Sequence, residues 1–346
     1  MKKLRSVNEI EFDFDVILRL DTDLPIGNGK VLDNSRLLKS ISTIKLLLER
    51  NCRMVIVGHR GRPEGKDESL SLKPVYTELM SLLEKDRQNW VESVFIEDLK
   101  KTKEIERAIE SNQIIFVENL RFYKEEELGD TSIFGDLKNV CSVFVNDAFA
   151  VAHRENASIM LFKEMETFYG LSFVEEVEKI GNILDIKEKP MTIVLGGAKE
   201  DKLKYLEELS KKADYVLVGG KLPKLIKTLR HSGNSFDRAA NIIVANLRDD
   251  GLDLSDEDIK KFKKIINESK IIVWAGAMGF YEKDDCQKGT EEIAKAIADS
   301  KAYKIIAGGD TGASIVSLGL KDKIDYVCSG GGVMLEFLTK GTLPSW

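Results

Sequence analysis

The sequence predicts an α/β protein of two lobes, each built on a parallel sheet, the two joined by a helix and a hinge. Short runs of Val, Ile and Leu alternate along the chain with longer stretches of helical period, the pattern of strand–helix–strand units. Several of the runs are apolar without a break, as strands covered on both faces are. With 346 residues the chain is long enough for two cores.

Taken in order, the expected strands are 16–20, 54–57, 114–117, 143–145, 192–195, 215–218, 271–274, 304–307 and 326–328. Residues 241–245 read as a short remnant strand. Amphipathic stretches at 35–50, 72–84, 202–212, 256–268 and 290–299 carry the helical period. Residues 170–185 read as a helix linking the lobes, with the boundary near Leu171. The expected division is therefore 1–170, 171–332 and a tail, 333–346, that returns to the first lobe. In such sheets ligands bind beyond the carboxyl ends of the strands.

Composition narrows the function classes. The formal net charge is -6 with both signs interspersed, so no basic block points to nucleic acid. No apolar run approaches the ~20 residues of a membrane span, and the charged start lacks the apolar core of a signal peptide. A cytoplasmic protein is expected, and nothing marks a self-association surface, so a monomer is expected too. Cys52, Cys141, Cys286 and Cys328 lack metal-ligand spacing and read as reduced, buried thiols. His231 has no motif around it and reads as a surface residue.

The chemistry concentrates at strand ends. Gly58-His59-Arg60-Gly61-Arg62-Pro63-Glu64-Gly65 comes directly after the apolar run 53–57. A His and two Arg on a Gly- and Pro-shaped turn just past a strand suit an anion rather than a core. Further basic residues stand at other strand ends, at Arg19, Arg36, Arg121 and Arg154. Taken singly, each arginine could be an ordinary surface ion pair. The second half carries glycine turns instead. Glycine lets backbone N–H groups approach phosphate oxygens, and helix N-termini favour anions. Gly308-Gly309-Asp310-Thr311 combines a strand end, a glycine turn, a carboxylate suited to magnesium and a helix start. Asp310 could equally be a helix N-cap, and both roles can coexist. A basic half and a glycine half suggest a phosphorylated small substrate on one lobe and a nucleotide on the other.

These segments, in order, resemble phosphoglycerate kinase. In the first half they are Leu18-Arg19-Leu20-Asp21-Thr22-Asp23-Leu24-Pro25, Asp33-Asn34-Ser35-Arg36, His59-Arg60-Gly61-Arg62-Pro63, Glu118-Asn119-Leu120-Arg121-Phe122 and Asn146-Asp147-Ala148-Phe149-Ala150-Val151-Ala152-His153-Arg154. In the second they are Leu195-Gly196-Gly197-Ala198-Lys199, Trp274-Ala275-Gly276-Ala277-Met278-Gly279, Gly308-Gly309-Asp310-Thr311 and Ser329-Gly330-Gly331-Gly332. The resemblance implies two Rossmann-like lobes and reversible phosphoryl transfer between 1,3-bisphosphoglycerate and ADP, giving 3-phosphoglycerate and ATP, with Mg2+. It implies that Arg36, His59, Arg62, Arg121 and Arg154 cradle the substrate's phosphate and carboxylate, Arg being suited by its planar fork. Asp21 would hold the substrate hydroxyl, with Asp23 where the family has Asn. On the nucleotide side it implies Gly197, Lys199, Lys202, Gly220, Gly276, Gly309, Asp310 and Thr311, with Glu282 on the ribose and Asp310 on the metal. Arg36, Lys199, Lys202 and Gly331 would serve the transferred group. His153 would support its loop, and Arg60, which replaces an apolar residue, would point to solvent.

The chain departs from the pattern mainly in the nucleotide half. Lys199 and Lys202 stand one residue closer than the family's lysine pair, and removing one residue from an α-helix rotates its remainder by ~100°. Either Lys202 falls short of the phosphoryl group or the loop absorbs the slip. Ala275 and Ala277 replace Asn and Pro, Lys221 replaces a glycine, and the segment between Lys221 and Ile271 is short. Two readings compete: a compact, active kinase, or a kinase-like binding protein with weak or no transfer activity.

Overall fold

The computed structural model describes residues 4–86, 91–230 and 239–346, without the side chains of Asp86, Leu229, Arg230 and Asp310. His231 therefore lies outside the described residues. In the first part of the chain, β1 (Asp15–Arg19) leads to a small antiparallel hairpin, β2 (Ile26–Gly27) and β3 (Lys30–Val31). Then come β4 (Arg53–Val57), β5 (Ser93–Ile96), β6 (Ile114–Val117), β7 (Val143–Asn146) and β8 (Glu166–Tyr169). Apart from the hairpin they form one parallel sheet in the order β5-β6-β4-β1-β7-β8. The second sheet contains β9 (Met191–Leu195), β10 (Tyr215–Val218), β11 (Ile242–Val244), β12 (Ile271–Ala275), β13 (Tyr303–Ala307) and β14 (Tyr326–Cys328). It is also all parallel, in the order β11-β10-β9-β12-β13-β14.

The uninterrupted apolar runs have a direct cause. Side chains alternate across a sheet, and helices cover both faces of the first one. Val16, Leu18, Met54, Ile56, Ile114 and Phe116 enter one buried cluster, while Ile17, Val55, Val57, Ile115 and Val117 enter another. The helix Ser35–Glu49 lays Leu37, Ile41, Ile44 and Leu48 on the first cluster. In the second sheet the helix Asp256–Glu268 is capped by Ser255, whose hydroxyl accepts from the Asp258 N–H, and it buries Ile259, Phe262 and Ile266 at helical spacing.

Residues 1–177 and 342–346 make one compact unit and 178–341 the other. The division falls inside the helix Leu171–Asp185, later than the 170/171 division expected from sequence. The helix Gly331–Lys340 belongs to the second unit, held by Tyr205 Oη donating to Glu336 at 2.5 Å. Only the last five residues join the first unit, where the Ser345 carbonyl accepts from Tyr169 and Trp346 packs edge-on against Phe173. All four cysteines are buried, and none is joined in a disulfide among the described residues.

Topology positions the ligand sites. In each sheet the strand order reverses once, between β1 and β7 and between β9 and β12. The crevice outside the carboxyl ends at such a point is where open parallel sheets bind ligands. The register aligns Arg19 with Val57 and Asn146, and Ala275 with Leu195, so the loops leave each sheet at one level.

Two local expectations differ from the structure. Residues 202–212 are not one α-helix: Glu200–Tyr205 is 3-10 helix and Leu206–Lys212 is α-helix. Strands β5 and β8 depart from the expected set: both are four-residue sheet edges, partly exposed, that open on a polar residue, Ser93 or Glu166.

Candidate functional site

In the first unit the loops after β1, β4, β6 and β7 bring basic side chains to one place. His59 is buried and sits at the centre of their field, with Arg19, Arg121, Arg154 and Arg36 all depressing its pKa, after burial itself. It is held well below the usual imidazole range and stays neutral at physiological pH. Arg19 Nη2 lies 2.6 Å from His59 Nδ1. A guanidinium only donates, so Nδ1 accepts and the ring proton is on Nε2, free to donate to a ligand. Arg19 is itself fully buried, donates to Ser158 Oγ at 2.9 Å, and Ser158 donates to Glu126 at 2.6 Å. Burial lowers the Arg19 pKa and raises that of Glu126, and each group opposes the other's shift.

Arg36 comes from the first turn of its helix and donates to Asp21 Oδ1 at 3.0 Å and to the Asp23 carbonyl at 3.2 Å. Burial raises the Asp21 pKa, against the pull of Arg36 and Arg19. Its other oxygen, Oδ2, is buried with no hydrogen-bond partner among the described residues, an acceptor left open beside a cation. Asp23 Oδ1 takes the Gly61 N–H at 2.9 Å, a bond an Asn oxygen would make equally well. The substitution thus keeps the loop and adds a charge. Arg121 is buried and donates to the Gly61 carbonyl; burial and Arg154 lower its pKa.

The loops are stitched by polar groups. Asn119 accepts from the Arg60 and Arg121 N–H groups and donates to the carbonyls of Arg60 and Leu70. Glu118 accepts from the Leu72 and Asn119 N–H groups, both at 2.7 Å, and from Ser71. Arg60 does not point free into solvent as expected. Its guanidinium donates to the Leu24 and Ser69 carbonyls at 3.1 and 2.6 Å and ties two loops together. Thr22 is buried and donates to the His59 carbonyl; a Cβ on Gly58 would fall 2.2 Å from its hydroxyl. Glycine is required there for the β1 and β4 loops to meet.

Arg36, His59, Arg121, Arg154 and Asp21 are thus brought together electrostatically. Arg62 is exposed on the adjoining turn and His153 is half-buried. Sequence reading named Arg19 as a basic strand end without a role. The signal for a role is an arginine closing a strand that is buried from its second residue on. The Glu126–Ser158 half of its network comes from distant segments and had no local signal.

In the second unit the glycines converge at the β9/β12 crevice. A Cβ on Gly196 would fall 2.3 Å from the Ala277 carbonyl oxygen, and one on Gly276, at φ +101°, 2.3 Å from that of Gly196. A Cβ on Gly220 would strike the Gly197 backbone. Three backbone segments therefore touch, as only glycine permits. The Gly197 and Gly220 N–H groups donate to the Ala277 and Met278 carbonyls. Thr311 is fully buried, and its hydroxyl accepts from the Gly276 N–H at 2.8 Å. It braces the turn. Helices start at Gly309 and Gly331, and a Cβ on Gly331 would lie 3.7 Å from Gly308 Cα, so two helix N-termini meet here.

Lys202 reaches this crevice. Its ammonium donates to the Gly196 and Ala275 carbonyls at 2.8 and 3.1 Å. The missing residue is absorbed because Glu200–Tyr205 is 3-10 helix. Lys199 is the extended cap residue of that turn, and the Lys202 N–H donates back to its carbonyl at 3.4 Å, so the two lysines stand one tight turn apart. Lys199 is exposed two residues after Gly197, and Glu282 is exposed in the turn after Phe280. Asp310 lies in the first turn of its helix, and its side chain lies outside the described ones.

Known proteins resemble this chain along nearly its whole length. The phosphoglycerate kinase family model matches residues 8–235 and 229–341. A phosphoglycerate kinase from Leptospira biflexa is 33% identical over 374 residues, covering 95% of this chain and 93% of its own. One from Finegoldia magna is 32% identical over 379 residues, covering 95% and 94%. The crystal structure of phosphoglycerate kinase from Pyrococcus horikoshii OT3 matches with TM-score 0.81 at 28% identity, covering 99% of this chain and 97% of that one. The structure from Coxiella burnetii matches with TM-score 0.77 at 29% identity, covering 99% and 98%. The chain belongs to the phosphoglycerate kinase family.

Proposed function

We propose that the chain catalyses reversible phosphoryl transfer from the acyl phosphate of 1,3-bisphosphoglycerate to a nucleoside diphosphate, ADP by resemblance, releasing 3-phosphoglycerate. The first unit binds the phosphoglycerate. Arg36, Arg62, Arg121 and Arg154 hold its anionic groups, His59 donates from Nε2, and Asp21 Oδ2 takes the hydroxyl. The neutral state of His59 is no loss, because the arginines carry the charge. The second unit binds the nucleotide phosphates at the two helix N-termini, Gly309 and Gly331, in the crevice that the close-packed Gly197, Gly220 and Gly276 leave open, with Lys199 beside them and Glu282 toward the ribose.

Transfer of this kind depends on positioning and on neutralising the charge spread over the moving group. Lys202, Arg36 and the Gly331 N–H supply that stabilisation. Magnesium fits the donor set. One carboxylate, Asp310, in the first turn of a helix, together with substrate phosphates, is the arrangement this ion takes. It would neutralise phosphate charge when bound with the nucleotide.

The observation that carries transfer, rather than binding alone, is the Lys202 ammonium at the β9/β12 crevice in spite of the shortened spacing. The test is a coupled assay of 3-phosphoglycerate phosphorylation by a magnesium nucleoside triphosphate, with Lys202→Ala beside the parent. Turnover should fall by about 100-fold or more, as for loss of one transition-state contact, while 3-phosphoglycerate affinity is unchanged. A folded parent protein without turnover would leave the binding-protein reading.

A further inference from the structure

Beside the glycine crevice the second unit holds a cavity of about 270 Å³. Its apolar walls are Ala198, Leu225, Leu252 and Phe280, and its only polar side chains among the described residues are Lys221 and Lys224. Ala198 follows Gly197 directly, and the Lys221 N–H donates to the Gly197 carbonyl at 3.0 Å. The cavity therefore abuts the glycine crevice, and the base of a nucleotide whose phosphates lie at the neighbouring helix N-termini would reach it. The walls suit a flat ring, being apolar with one aromatic face.

The lysines decide what edge that ring can show. The Lys221 ammonium stands 5.4 Å from the centroid of the Phe280 ring. The end of Lys224 lies over Gly251, where a Cβ would come within 2.3 Å of its Nζ. Among the described residues neither ammonium has a carboxylate within ion-pair distance. An ammonium donates and never accepts. A cavity whose polar side chains are two ammonium groups offers no side-chain acceptor to the exocyclic amino group of adenine. It offers two donors to the adjacent O6 and N7 acceptors of guanine, the edge that lysine and arginine read in nucleic acids.

We propose that Lys221 and Lys224 make this cavity select guanine over adenine, so that GDP and GTP are the preferred nucleotides. The inference rests on the second unit binding nucleotide, as proposed above. Discrimination of the kind a donor pair gives against the wrong base is on the order of tenfold or more.

The test is calorimetric titration of the full chain with MgGDP and with MgADP. The same pair is titrated into Lys221→Met/Lys224→Met, whose side chains keep the apolar stems, with folding checked by circular dichroism. Steady-state kcat/KM for 3-phosphoglycerate with MgGTP and MgATP accompanies it. MgGDP should bind about tenfold more tightly than MgADP, and the double variant should bring the two within about twofold. Equal binding, or tighter MgADP, in a chain that turns over MgATP would overturn the guanine preference and leave the kinase standing. A guanine preference that survives the double variant would overturn the role of the two lysines. Binding of neither nucleotide would overturn both the cavity's assignment and the nucleotide site it rests on.

Discussion

Asp147 makes a separable contribution to the pH dependence of the first unit. It comes just after β7, is buried, and its Oδ1 accepts from the Phe173 N–H at 3.0 Å, in the first turn of the helix Leu171–Asp185. Its Oδ2 has no hydrogen-bond partner among the described residues. Burial outweighs the Phe173 N–H and the Ser40 and Thr43 hydroxyls, and the pKa is pushed up to about 7. An unfolded Asp titrates near ~3.9. The folded state therefore binds the proton more tightly. The resulting stability is fully present below pH ~4, declines as pH rises and is gone once pH passes the folded value of about 7. Three units at ~1.36 kcal/mol each give about 4 kcal/mol over that window.

Between pH 5.5 and 8.5 the part still to be lost is about 2 kcal/mol. Asp147→Asn keeps the acceptor for Phe173 and removes the titration. Urea unfolding of both proteins, followed by tryptophan fluorescence at several pH values, isolates this group, because all other titrations cancel in the difference. Trp346 packs against Phe173 at 5.9 Å and reports on the same region. The stability of the parent relative to the Asn variant should fall by about 2 kcal/mol from pH 5.5 to 8.5. A difference that stays level with pH, or rises, would refute the reasoning.

Two further predictions concern the sites. His59, buried among arginines, should show no titration of its Cε1–H resonance between pH 6 and 8; a midpoint near the usual ~6.5 would contradict its neutral state. Gly276→Ala would put a Cβ 2.3 Å from the Gly196 carbonyl oxygen at φ +101°. It should cost about 3 kcal/mol of stability or more and abolish nucleotide binding. Urea unfolding together with calorimetry would detect a variant of unaltered stability and affinity, which would exclude the close approach described.

Much of the fold was legible because both sheets are parallel and covered on both sides. Central strands such as Ile114–Val117 and Ile271–Ala275 are apolar throughout and stand out without an alignment. Edge strands do not. Ser93–Ile96 and Glu166–Tyr169 are the outermost strands of their sheet and carry polar residues, so their sequences resemble loops. Among the candidate site residues, the arginines and glycines were legible as residue types at strand ends. How they are oriented was not. The part played by Arg60 depends on carbonyls of Leu24 and Ser69, and a carbonyl belongs to every residue alike. Thr311 carries a hydroxyl suited to a ligand, yet the fold directs it to the Gly276 N–H.

The sequence by itself determined the α/β class, the central strands and the family, because these depend on hydrophobic period and on motifs that are local and ordered along the chain. Only the tertiary structure decided the rest. Whether Lys202 reaches the crevice depended on three or four residues per turn, a choice made by packing and not by the residues between the lysines. The same holds for the tautomer of His59, which is set by a guanidinium 2.6 Å from Nδ1 on a strand forty residues away in sequence. Hydrogen-bond direction, burial and charge proximity are properties of positions in space, and a chain specifies them only once it has folded.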